Sequence, residues 1–143
     1  HVFAMDVSAD ALAMAAKNAA SNGLAVEMLH ADVLDEQTPL PSVDLIVSNP
    51  PYIPMSEEEQ MERNVREHEP RVALFVADAD PLLFYRRIAE KGMVALRSGG
   101  GIWFEGHYLH SPAVARLLES MGYSDVRVLN DLSGSPRFIH AIR

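Results

Sequence analysis

The tetrapeptide Asn49-Pro50-Pro51-Tyr52 combines residue types that can hold a planar amino group. Each proline disfavours helical backbone in the residue before it, so the chain leaves this point in one stiff, extended turn. Because proline has no N–H, the turn can present the Asn49 amide oxygen and the Pro50 carbonyl as two acceptors. Two acceptors at a fixed spacing suit the NH₂ of a carboxamide or an adenine, and Tyr52 offers a flat face for stacking. A turn that merely ends a strand is the alternative.

Two acidic residues follow short apolar runs that predict buried strands. Asp6 ends a run that starts at Val2, and Asp32 follows the run 25–29. A carboxylate at Asp6 could accept from both hydroxyls of a ribose, and Asp32 could accept from an adenine amine. Helix capping by Asp6 and a solvated turn at Asp32 are the alternatives. Since Asn49 follows a third apolar run, 43–47, we expect the three polar residues to line one rim of a parallel sheet.

The first half of the chain contains two predicted helices that would frame these strands. Ser8 is a plausible N-cap for an alanine-rich helix that closes at Asn22-Gly23. Ser56 begins a capping box, which predicts a polar helix through Arg66 that forms an exposed excursion or a lid. The acidic run 57–59 is interpreted as the solvated start of that helix, with a docking surface as the alternative. The small residues that would pack the first helix closely on a sheet share one face: Ala9, Ala13, Ala16 and Ala20.

The second half continues the alternation of strands and helices. Asp80-Pro81 predicts a helix start, the glycine run 98–101 its end, and 102–104 the next strand. Another helix opens at Ser111-Pro112 and stops at Gly122. Segments 125–130 and 137–142 predict an antiparallel hairpin. Strands alternating with helices and ending in a hairpin predict an α/β fold with an antiparallel edge.

Composition narrows the function classes. The 143 residues suit one domain, and the lack of cysteine excludes disulfides, thiolate zinc sites, iron–sulfur clusters and a cysteine nucleophile, with a cytoplasmic protein as the mild inference. A formal charge of −8 argues against a broad nucleic-acid-binding face. No segment approaches the roughly 18 apolar residues of a membrane span. His107 and His110 have a spacing that could serve a metal but lack a third ligand. Glu105 is interpreted as structural, with contact to a cofactor as the alternative.

The stretch from Asp6 to Leu12, Asp32 and the segment 44–54 closely resemble the HemK-type methyltransferases, which methylate the glutamine side-chain amide of peptide chain release factors. Segment 69–74 is similar to that family's Glu-Pro segment, and 99–105 to its glycine turn and next strand. Asn-Pro-Pro-Tyr alone is shared with adenine-amino DNA and RNA methyltransferases, whereas the following Ile-Pro and segment 69–74 favour the release-factor branch. The resemblance covers essentially the whole chain.

The resemblance implies an α/β fold with a Rossmann-like class I methyltransferase sheet, mostly parallel, with an antiparallel C-terminal hairpin. The implied cofactor is S-adenosyl-L-methionine, its ribose on Asp6 and its adenine on Asp32 and Val33. Asn49 and Pro50 would hold the substrate NH₂, and no metal is expected. The implied site residues are, for the cofactor, Asp6, Val7, Asp32, Val33 and Asn49; for catalysis, Asn49, Pro50 and Tyr52; and for the substrate, Asn49, Pro50, Pro51 and Tyr52.

The family's first, central strand and its glycine-rich loop lie upstream of His1, so the resemblance implies that the central strand is missing here. We interpret residues 1–143 as the C-terminal portion of a single methyltransferase catalytic domain. A protein-(glutamine-N5) methyltransferase acting on a release factor, with no membrane and no direct nucleic acid as partner, is the favoured function. An adenine-amino methyltransferase, or an inactive fragment that needs its upstream part, are the alternatives. We expect the isolated chain to bind the cofactor weakly or not at all.

Overall fold

The structure, a computed structural model, describes residues 1–61, 64 and 68–143. The chain forms two compact units, His1–Pro39 and Leu40–Arg143. None of the described helices is long and apolar enough to cross a membrane.

The first unit is a strand–helix–strand unit. β1 (Phe3–Asp6) and β2 (Glu27–His30) pair in parallel, and α1 (Ala9–Ser21) connects them. The predicted cap is confirmed, because the Ser8 hydroxyl accepts from the Ala11 N–H at 3.2 Å. The helix stops at Gly23, whose φ of +67° is a left-handed conformation that glycine adopts without strain.

The predicted packing face of α1 is wrong. Leu12 is buried and Ala15 and Ala19 are half-buried, so the helix packs through positions i, i+3 and i+7 of a different face. Leucine removes more apolar surface from water than alanine does, and its position therefore decides which side of the helix turns inward. The residues expected on that side are all exposed: Ala9, Ala13, Ala16 and Ala20.

The second unit contains a four-stranded sheet in the order β3-β6-β8-β7. β3 and β6 are parallel, whereas β8 is antiparallel to both β6 and β7, which confirms the predicted α/β class and the C-terminal hairpin. A small parallel pair, β4-β5, follows the diproline turn. The elements are β3 (Val43–Ser48), β4 (Ile53–Pro54), a 3₁₀ helix (Met55–Gln60), α2 (Arg71–Leu74), β5 (Phe75–Val76), α3 (Leu83–Ala95), β6 (Leu96–Glu105), α4 (Ser111–Ser120), β7 (Ser124–Asn130) and β8 (Pro136–Ile142).

The core of this unit lies between the helices and the inner strands β6 and β8. α3 contributes a helical stripe, and α4 contributes two residues four positions apart, which lie on one face of that helix. β6 and β8 supply apolar residues at alternate positions. The buried side chains that these four elements contribute include Tyr85, Ile88, Ala89, Ile102, Phe104, Val114, Leu118, Ile139 and Ala141.

β3 is less buried than its apolar sequence predicts. Leu45 is 53% exposed and Val47 72% exposed, both on the same face of the strand. Among the described residues, β3 pairs with β6 alone and β1 with β2 alone, so each strand has one edge without a backbone partner. Apolar side chains on a strand with one neighbour stay partly in water unless another element covers them.

Two predicted helix starts are wrong. Ser56 lies inside the 3₁₀ helix, and its hydroxyl donates to Asp78 Oδ1 at 2.8 Å instead of capping. The continuation of that predicted polar helix falls at 62, 63 and 65–67, outside the described residues. Asp80 does not cap α3, which begins at Leu83; its carboxylate forms an ion pair with Arg86 at 2.8 Å.

The glycine run does not separate α3 from the next strand. α3 ends at Ala95 and β6 begins at Leu96, so the strand runs through the glycines. The pairing with β3 shifts register between Val43 and Leu45. A Cβ on Gly100 would lie 2.9 Å from the Arg97 carbonyl oxygen and 3.0 Å from that of Asp44. Glycine is therefore required by a close backbone approach at a bulge, and not by a helix end.

Candidate active site

Asp6 and Asp32 lie at the same edge of the first unit. Asp6 ends β1 opposite His30 of β2, and its carbonyl oxygen accepts from the Ala31 N–H at 3.1 Å. Asp32 follows β2 directly, so the two carboxylates emerge at the carboxyl ends of neighbouring parallel strands. This is the edge at which open α/β sheets bind ligands.

Both carboxylates use one oxygen to fix a local turn. Asp6 Oδ1 accepts from the Ser8 N–H at 2.7 Å, and Asp32 Oδ1 accepts from the Leu34 N–H at 2.8 Å. The helix cap is Ser8, so the capping alternative for Asp6 is wrong. Asp6 and Asp32 are both exposed, and the second oxygen of each makes no hydrogen bond to a described residue. Each is thus an oriented carboxylate with a free acceptor.

The other two residues expected at the cofactor, Val7 and Val33, lie beside these carboxylates in the chain. Val7 is exposed, and its carbonyl oxygen is 3.0 Å from His30 Nε2, which ties the loop after β1 to the end of β2. Val33 is half-buried. The first unit therefore brings together Asp6, Val7, Asp32 and Val33 at one sheet edge.

The diproline turn lies at the carboxyl end of β3. Ser48, the last residue of β3, is in register with Phe104 of β6. Pro50 is buried and fixes the turn, whereas Asn49 is exposed and its carboxamide makes no hydrogen bond to a described residue. Because its neighbour Pro50 is buried and rigid, the outward Asn49 side chain is preorganised to bind a ligand. Pro51 and Tyr52 are half-buried beside it.

Tyr52 is held by a residue at the end of β6. Its hydroxyl donates to Glu105 Oε1 at 3.2 Å. Burial raises the pKa of Tyr52, and the negative charge of Glu105 adds to that rise, while the Arg137 guanidinium opposes it. The phenol is consequently neutral at ordinary pH and remains a hydrogen-bond donor.

His107 connects the 3₁₀ helix to the loop that follows β6. It is 7% exposed, and its Nε2 lies 3.1 Å from Glu57 Oε2. Its Nδ1 accepts from the Leu109 N–H at 3.3 Å, so the proton of the neutral ring is on Nε2, which donates to Glu57. The prediction that 57–59 is only a solvated helix start is wrong for Glu57 and also for Glu58, which pairs with Arg71.

His110 belongs to the same loop, with its ring centroid 5.2 Å from that of His107. Burial lowers the pKa of His110, and the neighbouring His107 lowers it further. In the described part of the chain, no group of three or more His, Asp or Glu side chains could hold a metal ion.

The sequence interpretation treated Glu105 as structural and His107 as a metal candidate, and it did not place either of them beside Tyr52. The side chains that surround Tyr52 are Tyr85, Glu105, His107 and Arg137. The sequence does indicate one of these neighbours: Glu105 is a polar residue at the end of β6, and β3 likewise ends at the diproline turn. Using that signal requires knowing that β6 lies directly beside β3, which only the sheet order gives. The two groups of predicted site residues belong to different units, so their expected common rim stays a prediction.

The sequence of the chain is similar to those of known methyltransferases. Residues 1–72 match the family described as Methyltransferase small domain. The chain is 44% identical, over 99% of its length, to the release factor glutamine methyltransferase of Bacteroides thetaiotaomicron, and covers 51% of that protein. It is 42% identical to the protein of the same name from Cereibacter sphaeroides, over 99% of this chain and 50% of the relative. The chain thus spans about half the length of these curated relatives.

Solved structures show the same fold. A methyltransferase from Pyrococcus furiosus superposes with a TM-score of 0.68 at 16% identity, over 99% of this chain and 61% of that one. The release-factor-specific protein-(glutamine-N5) methyltransferase of Alicyclobacillus acidocaldarius superposes with a TM-score of 0.51 at 24% identity, over 99% of this chain and 78% of that one. These matches confirm the predicted Rossmann-like class I methyltransferase fold. The chain therefore belongs to the methyltransferase small domain family.

Proposed function

We propose that this chain is part of an S-adenosyl-L-methionine-dependent methyltransferase that modifies the glutamine side-chain amide of a peptide chain release factor. The observation that carries the proposal is the exposed Asn49 carboxamide, held outward at the carboxyl end of β3 by the buried Pro50. The names of the relatives at 44% and 42% identity support the choice of substrate. A substrate from the translation apparatus would place the reaction in the cytoplasm.

Asn49 and Pro50 would act on the substrate nitrogen. An amide nitrogen is a weak nucleophile, because its lone pair is delocalised into the carbonyl. The Asn49 Oδ1 and the Pro50 carbonyl oxygen would accept the two N–H groups and aim the nitrogen along one direction. As the nitrogen bonds to the methyl carbon, the bond from that carbon to sulfur breaks and a neutral thioether leaves. The nitrogen is positive until it loses one proton to water, and two oxygen dipoles fixed beside it stabilise that charge. Positioning of this kind contributes up to roughly 7–11 kcal/mol in favourable cases, without a dedicated general base.

The sheet edge of the first unit offers hydrogen-bond acceptors of the kind that a nucleoside requires. Asp6 and Asp32 are exposed, each is oriented by a local hydrogen bond, and each keeps one free acceptor oxygen at the same sheet edge. The spare oxygen of Asp6 would accept from ribose hydroxyls, and that of Asp32 from the adenine amine. Val7 and Val33 would contribute apolar contact beside them. S-adenosyl-L-methionine would supply an electrophilic methyl group on its sulfonium.

We propose that residues 1–143 are the C-terminal portion of a single catalytic domain. The chain covers about half of the two relatives described above, and the apolar residues Leu45 and Val47 on β3 are exposed. A further strand would pair the free edge of β3, and an element packed on that face of the sheet would bury the two side chains. The proposed partner is a release factor; the charge of −8 gives no support to a nucleic-acid partner.

A methylation assay on two substrates tests the proposal. The full-length protein, labelled S-adenosyl-L-methionine and a release factor with a Gly-Gly-Gln loop are incubated beside an unmethylated, adenine-containing oligonucleotide. We expect label on the loop glutamine, located by peptide mass spectrometry, and none on the oligonucleotide. A release factor whose loop glutamine is replaced by alanine is the substrate control. Label on the oligonucleotide with none on the release factor would establish the adenine-amino alternative instead.

A further inference from the structure

Glu105 lies where it can fix the position of the Tyr52 ring. β3 and β6 are neighbouring parallel strands, and Ser48 is in register with Phe104. The diproline turn leaves β3 at the level where β6 ends, which brings the Tyr52 hydroxyl to 3.2 Å from Glu105 Oε1. The phenol oxygen lies on the axis of the Cβ–Cγ bond, so a hydrogen bond to it restricts rotation about Cα–Cβ and keeps the ring in one rotamer, while the plane of the ring is set by the groups that pack beside it.

The backbone around Glu105 is held in place by hydrogen bonds and close packing. Its carbonyl oxygen accepts from the hydroxyl of Tyr85, a fully buried side chain, at 3.1 Å. Glu105 also pairs with Phe138 of β8 in the sheet. The next residue, Gly106, donates its N–H to the Arg137 carbonyl oxygen at 2.8 Å. A Cβ on Gly106 would be 2.9 Å from Ile139 Cδ1, so the backbone there is closely packed. The carboxylate is therefore presented from a fixed backbone.

His107 lies near Tyr52 as well. The two ring centroids are 6.2 Å apart with planes inclined by 60°, and His107 is fixed by its hydrogen bond to Glu57. Tyr52 thus meets a fixed ring near its own and a fixed acceptor at its hydroxyl, and the Arg137 guanidinium also hydrogen-bonds the phenol oxygen. The spare oxygen of Glu105 makes no hydrogen bond to a described residue.

We propose that Glu105 is a positioning residue for amide methylation: by accepting from the Tyr52 hydroxyl, it holds the aromatic face against which the substrate carboxamide lies. This inference rests on the proposed function. Glu105 acts through Tyr52 and does not bind substrate itself. A Tyr52 ring free to change rotamer would widen the site, and a carboxamide misplaced by about 1 Å costs up to about a hundredfold in rate.

A double-mutant cycle in the full-length protein tests the proposal. We expect Glu105→Ala and Tyr52→Phe each to lower kcat on the release factor by about ten- to a hundredfold, with the KM for S-adenosyl-L-methionine unchanged. The double variant should be no slower than the slower single variant, because both changes remove one interaction. Glu105→Gln keeps an acceptor oxygen of the same reach and should restore most of kcat. Glu119→Ala, an exposed glutamate on α4, is the matched control.

Two outcomes would overturn the inference. One is a Tyr52→Phe variant with wild-type kcat, which is informative even if Glu105→Ala fails to fold, because it removes a single oxygen atom. The other is multiplicative losses in the double variant, which would mean that the residues act independently. Neither outcome touches the proposed function, provided that the wild type methylates the release factor. Absence of that activity in the wild type contradicts the proposed function itself.

Discussion

We expect Gly92→Ala to destabilise the wild-type protein but not a variant in which Tyr123 is replaced by phenylalanine. Gly92 lies in α3, and the buried Tyr123 donates its hydroxyl to the Ala89 carbonyl oxygen of the same helix at 2.9 Å. A Cβ on Gly92 would lie 2.5 Å from the Tyr123 oxygen. The next neighbours of that Cβ, Ile46 Cδ1 at 3.4 Å and Ile102 Cδ1 at 3.5 Å, are at close to ordinary contact distances.

Three contributions set the expected change in the free energy of unfolding. Overpacking of this kind costs about 1–3 kcal/mol, and displacing the phenol from Ala89 forfeits a hydrogen bond of about 1 kcal/mol. Alanine in a helix interior regains about 0.5–1 kcal/mol relative to glycine. We therefore expect Gly92→Ala to lower the free energy of unfolding by about 1–3 kcal/mol in the wild type. In a Tyr123→Phe background the close contact is gone, and the same change should be neutral or stabilising by up to about 1 kcal/mol.

Urea denaturation of the full-length protein, followed by circular dichroism, measures all four members of the cycle. Val94→Ala is the control, because Val94 lies on the same helix and is 85% exposed; its effect should stay within about 0.5 kcal/mol. Equal effects of Gly92→Ala in both backgrounds would refute the reasoning, since they would show that the Tyr123 oxygen is not what requires glycine.

Three further predictions follow from the site and the titrating groups. Asn49→Ala should lower kcat by about a hundred- to a thousandfold, with little change in cofactor affinity; Asn130→Ala, exposed on β7, is the control, and an unchanged kcat would contradict the role of Asn49. Burial raises the pKa of Tyr123 to about 12 from an ordinary value of 10.0 and also raises that of Tyr52. The contribution of Tyr123 to stability is therefore complete below pH 10 and is lost as the pH rises toward 12; urea titrations at alkaline pH should show this loss, and Tyr123→Phe should reduce it. The isolated 143-residue chain should bind S-adenosyl-L-methionine weakly or not at all by calorimetry, and tight binding would show that no further strand is needed.

Local chemistry made several elements readable from the sequence. Ser8 as a cap and Gly23 as a stop were correct, because a hydroxyl acceptor at a helix start and a left-handed residue at its end are local requirements. The C-terminal hairpin was correct for the same kind of reason. The errors occurred where another side chain engages the group expected to cap a helix: the Ser56 hydroxyl donates to Asp78, 22 positions away, and the Asp80 carboxylate pairs with Arg86, six positions away.

The sequence alone therefore determined the α/β class, the rigid turn around Asn49 and the carboxylates Asp6 and Asp32 after neighbouring strands, because these depend on residue type and on near neighbours in the chain. Only the tertiary structure decided that Glu105 holds Tyr52. That contact joins residues on two strands that are adjacent in the sheet but far apart in the sequence. Strand order arises from packing over the whole unit, and no short segment contains that information.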